Sequence, residues 1–278
     1  MNLPPELLDE ILSYLAPHSQ SLRSCSLVAR SWLHPSRKRL FENVFIQDTD
    51  HQSWLDNISP TDTELLQHVH SFCFASSQPW GRNPPFEYID IDDLYVYFPS
   101  FHRLHTINLS DVHISSDIPE RIEMFSHCQQ VLSSLILVDV SLPWRSFITL
   151  IDYFPNLRNL ELSTLAFDDD NINPLPLSRP LRGKLCFYLS EAATVAAFSD
   201  WLFTGPVIEY DELVADVGYF SAAHFQQIIT ACGKSLKRLK LEVCECFVPR
   251  TILTPLTNQE ILFSSGCSCD TISLSGTS

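Results

Sequence analysis

The spacing of hydrophobic positions changes along the chain, and each spacing predicts a different element. From Glu6 to Leu15 the apolar side chains Leu7, Leu8, Ile11, Leu12, Tyr14 and Leu15 recur at helical spacing. At about 100° per residue they cover an arc of roughly 160°, wider than the stripe of a helix buried on one side. Pro4 and Pro5 fit a first helical turn, where a missing N–H costs nothing, and Glu6 suits the positive end of the helix dipole. Ala16-Pro17-His18 ends that helix, and Ser19 is expected to cap the next. Leu22, Cys25, Leu27, Val28 and Trp32 carry the apolar content through a second and third helix, and Pro35 is expected to break or kink the chain. A unit of ~40 residues is near the lower size limit for independent folding. Its wide apolar arc therefore predicts a cover, either the rest of the chain or a partner.

Beyond residue 48 the pattern becomes a loose repeat. Leu104-(x2)-Ile107-x-Leu109, Leu132-(x2)-Leu135-x-Leu137, Leu157-(x2)-Leu160-x-Leu162 and Leu236-(x2)-Leu239-x-Leu241 share one template. Their starts lie 28, 25 and 79 residues apart, and the last gap is about three periods. Val69-(x2)-Phe72-x-Phe74 is a weaker upstream copy, and two missing units are expected near Leu185-Cys186-Phe187 and between Val207 and Leu213. Helices are expected at Pro119 to Gln130, Pro143 to Phe154, Glu191 to Phe203 and Ser221 to Cys232. Strand plus helix at this period resembles degenerate leucine-rich repeats; the usual ladder Asn or Cys is met once, by Cys244, while Val112, Val140 and Leu165 stand there elsewhere. An ordinary α/β domain with incidental Leu spacing stays open as the alternative. Eight Ser or Thr within residues 264–278 predict a poorly ordered end.

Charge separates two units. Residues 1–47 carry a net charge of +1, and the remainder of the chain −16, for −15 overall. An acidic surface of that size repels phosphate backbones and anionic lipid, so neither nucleic acid nor a membrane is an expected partner. No apolar run approaches the ~18 residues of a membrane span, and the acidic start does not suit a signal peptide. Nine cysteines from Cys25 to Cys269 form no even framework. An intracellular protein with reduced thiols, in cytoplasm or nucleus, is expected.

The order of residues in the first unit adds a family. Leu3-Pro4-Pro5-Glu6-Leu7-Leu8-(x2)-Ile11-Leu12-Ser13-Tyr14-Leu15, followed by Leu22-(x4)-Leu27-Val28-Ala29-Arg30-Ser31-Trp32, closely resembles the F-box motif. The tail Arg37-Lys38-Arg39-Leu40-Phe41-Glu42-Asn43-Val44 is similar to the variant common in fungal F-box proteins. Gln20-Ser21 stands where the family usually has an acidic residue, and Ala29 where it often has Cys. The resemblance implies an α+β chain: a three-helix F-box at 1–46, an irregular leucine-rich-repeat-like solenoid at 47–248 and an irregular tail at 249–278. It implies docking on a Skp-type adaptor, and through it on a cullin–RING ubiquitin ligase, by Leu3, Pro4, Leu7, Ile11, Leu22, Cys25, Val28 and Trp32. Leu8, Leu12 and Leu15 are expected to pack inside the unit, and Trp32 is expected to be partly internal. The repeat domain would then hold a target protein. An interaction protein whose F-box feeds no ligase is the alternative.

Positive signals for catalysis are missing. The histidines form no HExxH pair, there is no G-x-S-x-G elbow, and Gly233-Lys234-Ser235 lacks the upstream Gly of a phosphate loop. Cys244-x-Cys246 with Cys267-x-Cys269 departs from the CxxC spacing of zinc sites, and Asp168-Asp169-Asp170-Asn171 lacks the alternation of a calcium loop. No enzyme, metal or cofactor is expected. Acidic residues at Asp90, Asp92, Asp93, Asp168 to Asp170, Glu209, Asp211, Glu212 and Asp216 read as a solvated surface. Alternatively, with Phe86, Tyr88, Tyr95 and Tyr97, they would recognise a basic segment of the target.

Overall fold

Sheet neighbours follow chain order from one edge to the other. The computed structural model describes residues 3–15, 18–47, 63–75, 98–114, 122–167, 177–188, 192–204, 208–216, 222–232, 235–243 and 260–265. Three helices come first: α1 (Pro5–Leu15), α2 (Ser19–Val28) and α3 (Arg30–Glu42). Nine strands then form one all-parallel sheet: β1 (Asn43–Gln47), β2 (Ser71–Ala75), β3 (Thr106–Ser110), β4 (Ser134–Val138), β6 (Asn159–Ser163), β8 (Leu181–Tyr188), β9 (Ile208–Asp216), β10 (Arg238–Val243) and β11 (Glu260–Ser265). Two short strands, β5 (Ser141–Leu142) and β7 (Ala166–Phe167), make a second parallel pair. The connections carry the short α4 (Thr63–Leu66), then α5 (Trp144–Tyr153), α6 (Ala192–Thr204) and α7 (Ala222–Cys232), with 3-10 turns at Phe98–Ser100 and Ile122–Phe125.

The strand register explains the apolar template. Phe72, Ile107, Leu135, Leu160, Leu185, Leu213 and Leu239 stand side by side, and two residues on so do Phe74, Leu109, Leu137, Leu162, Phe187, Ala215 and Leu241. All are buried in one continuous core beneath the helical connections. Side chains two apart share a face, so each x-Leu-x-Leu unit gives two core residues per strand. Aromatic rings fill the helix layer: Trp144 meets Phe167, Phe147 and Trp201 edge-on or tilted, at centroid distances of 4.7–5.7 Å.

Several local expectations change. α3 runs through Pro35; Trp32 and Leu40, on either side of it, pack on the buried Leu8, Leu12 and Leu22, which offsets the lost hydrogen bond. Ser19 is the first residue of α2, and His18, without a side-chain cap bond, holds the cap position. The helix expected up to Gln130 is a 3-10 turn at Ile122–Phe125 that buries Met124 and Phe125. The sheet already begins at Asn43, inside the segment expected to be purely helical, and Glu260–Ser265 in the expected irregular tail pairs with β10. Both additions give backbone groups at a sheet edge a partner, which alternation over five or six residues alone does not announce.

Five cysteines, Cys25, Cys73, Cys128, Cys186 and Cys232, are free thiols. No helix among the described residues is long and apolar enough to cross a membrane. The cysteines from Cys244 onward lie outside the described residues, as do the side chains of the 90–93 and 168–170 acidic groups and Phe86, Tyr88, Tyr95 and Tyr97.

Candidate functional site

On α1 the apolar residues divide into two adjoining stripes. Leu8 and Leu12 face inward, are buried, and meet Leu22 of α2, with Leu15 half-buried beside them. Leu7, Ile11 and Tyr14 lie on the neighbouring face, 48, 38 and 75% exposed, and Leu3 continues the line at 43%. The helical period puts Leu7, Ile11 and Tyr14 within an arc of about 60°. Pro4 is exposed with them. At the end of α2, Leu27 and Val28 are also open, at 85 and 69%. Among the described residues, the buried apolar side chains of this unit are Leu8, Leu12 and Leu22, and more large apolar side chains point out of it than in. Such a patch is expensive to leave in water, at about 1.5–3 kcal/mol per large side chain.

The structure therefore sorts the sequence-derived docking residues. Leu3, Pro4, Leu7, Ile11 and Val28 are exposed; Cys25 and Trp32 are half-buried against the interior cluster. Leu22 is buried, 1% exposed, so it holds the helices together and offers nothing to a partner until they separate. Tyr14 and Leu27 belong to the open surface and were not among the sequence candidates, although Tyr14 obeys the same period. Arg39 of α3 locks the frame from behind. Its guanidinium donates to both carboxylate oxygens of Asp9 on α1, at 2.9 and 3.0 Å, and to both of Glu42, at 3.1 and 3.0 Å.

The second candidate surface is the sheet face opposite the core, exposed or half-buried except at Cys186 and Val214. One row across it reads Asn43, Ser71, Thr106, Ser134, Asn159, Lys184, Glu212 and Arg238; the next reads Phe45, Cys73, Asn108, Ile136, Glu161, Cys186, Val214 and Lys240. In these two rows charge begins at β6, with Glu161, and continues on β8, β9 and β10. There Glu212 pairs with Lys184 at 3.3 Å and Arg238 at 2.6 Å, while on the earlier strands Asn159 Nδ2 donates to Ser134 Oγ at 2.8 Å. Phe45 stands 60% exposed at the first edge.

Buried thiols here are held in the neutral form. Burial pushes Cys186 up to about 11, against the opposing pull of Lys184, and Cys128 and Cys232 up to about 12. A thiol of that kind is a poor nucleophile at neutral pH. Among the described residues no three His, Cys, Asp or Glu side chains converge to hold a metal.

No curated protein matches the chain at a significant level. Residues 1–47, the three helices with their open apolar stripe and the first strand, match the F-box-like family and form an F-box-like domain.

Proposed function

We propose that the chain is a substrate-recognition subunit of a Skp–cullin–F-box ubiquitin ligase, working inside the cell and performing no bond chemistry of its own. The observation that carries this reading is the open stripe Leu3, Leu7, Ile11 and Tyr14 on an F-box-like unit. Docking on a Skp-type adaptor would cover it. The parallel sheet, read as degenerate leucine-rich repeats on the strength of its in-register Leu positions, would hold the target protein. Catalysis would then be proximity: a tethered target presents its lysines at high effective concentration to the charged conjugating enzyme.

Co-purification with a Skp-type adaptor tests it. Leu7→Asp with Ile11→Asp buries two carboxylates in an apolar interface, costing several kcal/mol, enough to abolish a micromolar complex while the helices stay folded. Leu22→Asp is the contrasting variant: it should unfold the helical unit itself, seen as lost helicity. A folded wild-type chain that fails to retain the adaptor removes the ligase reading.

A further inference from the structure

Beyond residue 47 the chain is strongly acidic, yet eight of its thirteen basic residues there fall from Arg158 to Lys240. Four of them border one groove of about 590 Å³ at the amino-terminal ends of β6, β8, β9 and β10. Arg158, Arg179, Arg182 and Lys237 line it together with Glu209 and Asp211, an excess of two positive charges. Two cations are engaged: Arg182 Nε donates to Glu209 at 2.6 Å, and Lys237 stands 3.9 Å from Asp211. Both pairs are largely solvent-exposed, so each contributes only about 0–1 kcal/mol and yields readily to a competing anion. Arg158 is exposed and has no ion-pair partner among the described residues. Arg179 turns inward, donating Nη2 to the carbonyl oxygens of Ile151 and Phe154, and its Nε has no hydrogen-bond partner. Arg179 is thus a half-buried cation in the groove wall, partly offset by the Asp152 carboxylate behind it.

We propose that this groove docks an acidic segment of a partner protein, its carboxylates pairing with Arg158, Arg182 and Lys237. The inference deepens the ligase reading by giving the target segment a charge, and it is opposite in sign to the basic segment expected from the acidic rim. With a Debye length of about 8–10 Å, the local positive groove, and not the distant net charge, decides what approaches.

The test uses the full chain and a fluorescein-labelled decaglutamate peptide, followed by fluorescence polarisation, with decalysine and a single-stranded oligonucleotide as comparison probes. Saturable decaglutamate binding that weakens as salt rises is expected. Arg158→Glu with Lys237→Glu should weaken it at least tenfold, and Glu209→Gln, which frees Arg182, should tighten it. No saturable binding, binding unchanged in the double variant, or tighter binding of decalysine or the oligonucleotide overturns the proposal. Adaptor co-purification of the same double variant separates the two readings. Retained adaptor with lost peptide leaves the ligase role standing and assigns the groove; bound peptide with an adaptor-blind wild type keeps the groove and removes the ligase role.

Discussion

At Thr164 the backbone takes φ 49°, the left-handed region that a β-branched side chain tolerates poorly. Asp111 and Asp139 occupy the same place in the two preceding turns, at φ 56° and 51°. In each turn the amide of the left-handed residue donates to the end of the next strand: Asp111 to Val138, Asp139 to Ser163 and Thr164 to Tyr188. Asp accepts this conformation at little cost, so only Thr164 carries appreciable strain. Thr164→Asn should stabilise the chain by about 1 kcal/mol, read as a rise of about 2–4 °C in Tm. Gly183 predicts the opposite sign. At φ 92°, an added Cβ would lie 2.2 Å from the Arg158 carbonyl oxygen, which accepts from Lys184 N. Gly183→Ala should therefore cost more than about 1 kcal/mol and lower the denaturant midpoint. Residue-scale facts of this kind were only partly legible in the sequence. Leu8 and Leu12, expected inside the unit, are buried, but Leu22, expected at the adaptor interface, is buried too. One helix's period fixes which residues share a stripe; which stripe faces in depends on where the neighbouring helices pack.

Elements were more legible, because their signals are repeated. The helices expected from Pro143, Glu191 and Ser221 appear as α5, α6 and α7, and the two weak strand positions are filled by β8 and β9. Those strands hide their template because β8 and β9 are longer and their register shifts at Gly183–Lys184, so the apolar spacing is interrupted. What stayed hidden were the edge strands β1 and β11 and the passage of α3 through Pro35, all decided by contacts distant in sequence. Element stability should reside where the helix layer is most aromatic. Trp144 is 1% exposed and bridges α5 to β7 and α6 through Phe167 and Trp201. Trp144→Ala should cost about 3–5 kcal/mol in denaturant unfolding, while Trp144→Phe, keeping most of the contact area, should cost clearly less. Equal losses for the two variants would place the stability elsewhere.

At the scale of the whole molecule, the helical unit and the sheet meet through histidines, and that junction should respond to acid. His34 of α3 faces His68, with ring centroids 5.9 Å apart, and His70 faces His105 at 5.6 Å. His70 N also donates to the carbonyl of Glu42 at the end of α3, at 2.9 Å. Lys38 and Arg103 add positive charge around both pairs, and Glu42 is the opposing carboxylate. Burial, reinforced by Lys38 and Arg103, lowers the pKa of His68 and His70 below the ordinary value of 6.5. Neither ring nitrogen of His68 has a hydrogen-bond partner, so no hydrogen bond there rewards protonation. The sign follows from linkage: just below 6.5 the unfolded chain binds protons that the folded chain refuses. Stability is thus fully present above that pH and declines as the pH falls from about 6.5 towards the lowered folded values. Asp111, whose pKa burial raises, contributes with the opposite sign. Denaturant unfolding at pH 7.5 and pH 5.5 should show a loss in the wild type that His68→Leu diminishes. An acid loss of the same size in that variant would move the titrating group away from the junction, and with it the idea that the two units are coupled through His68.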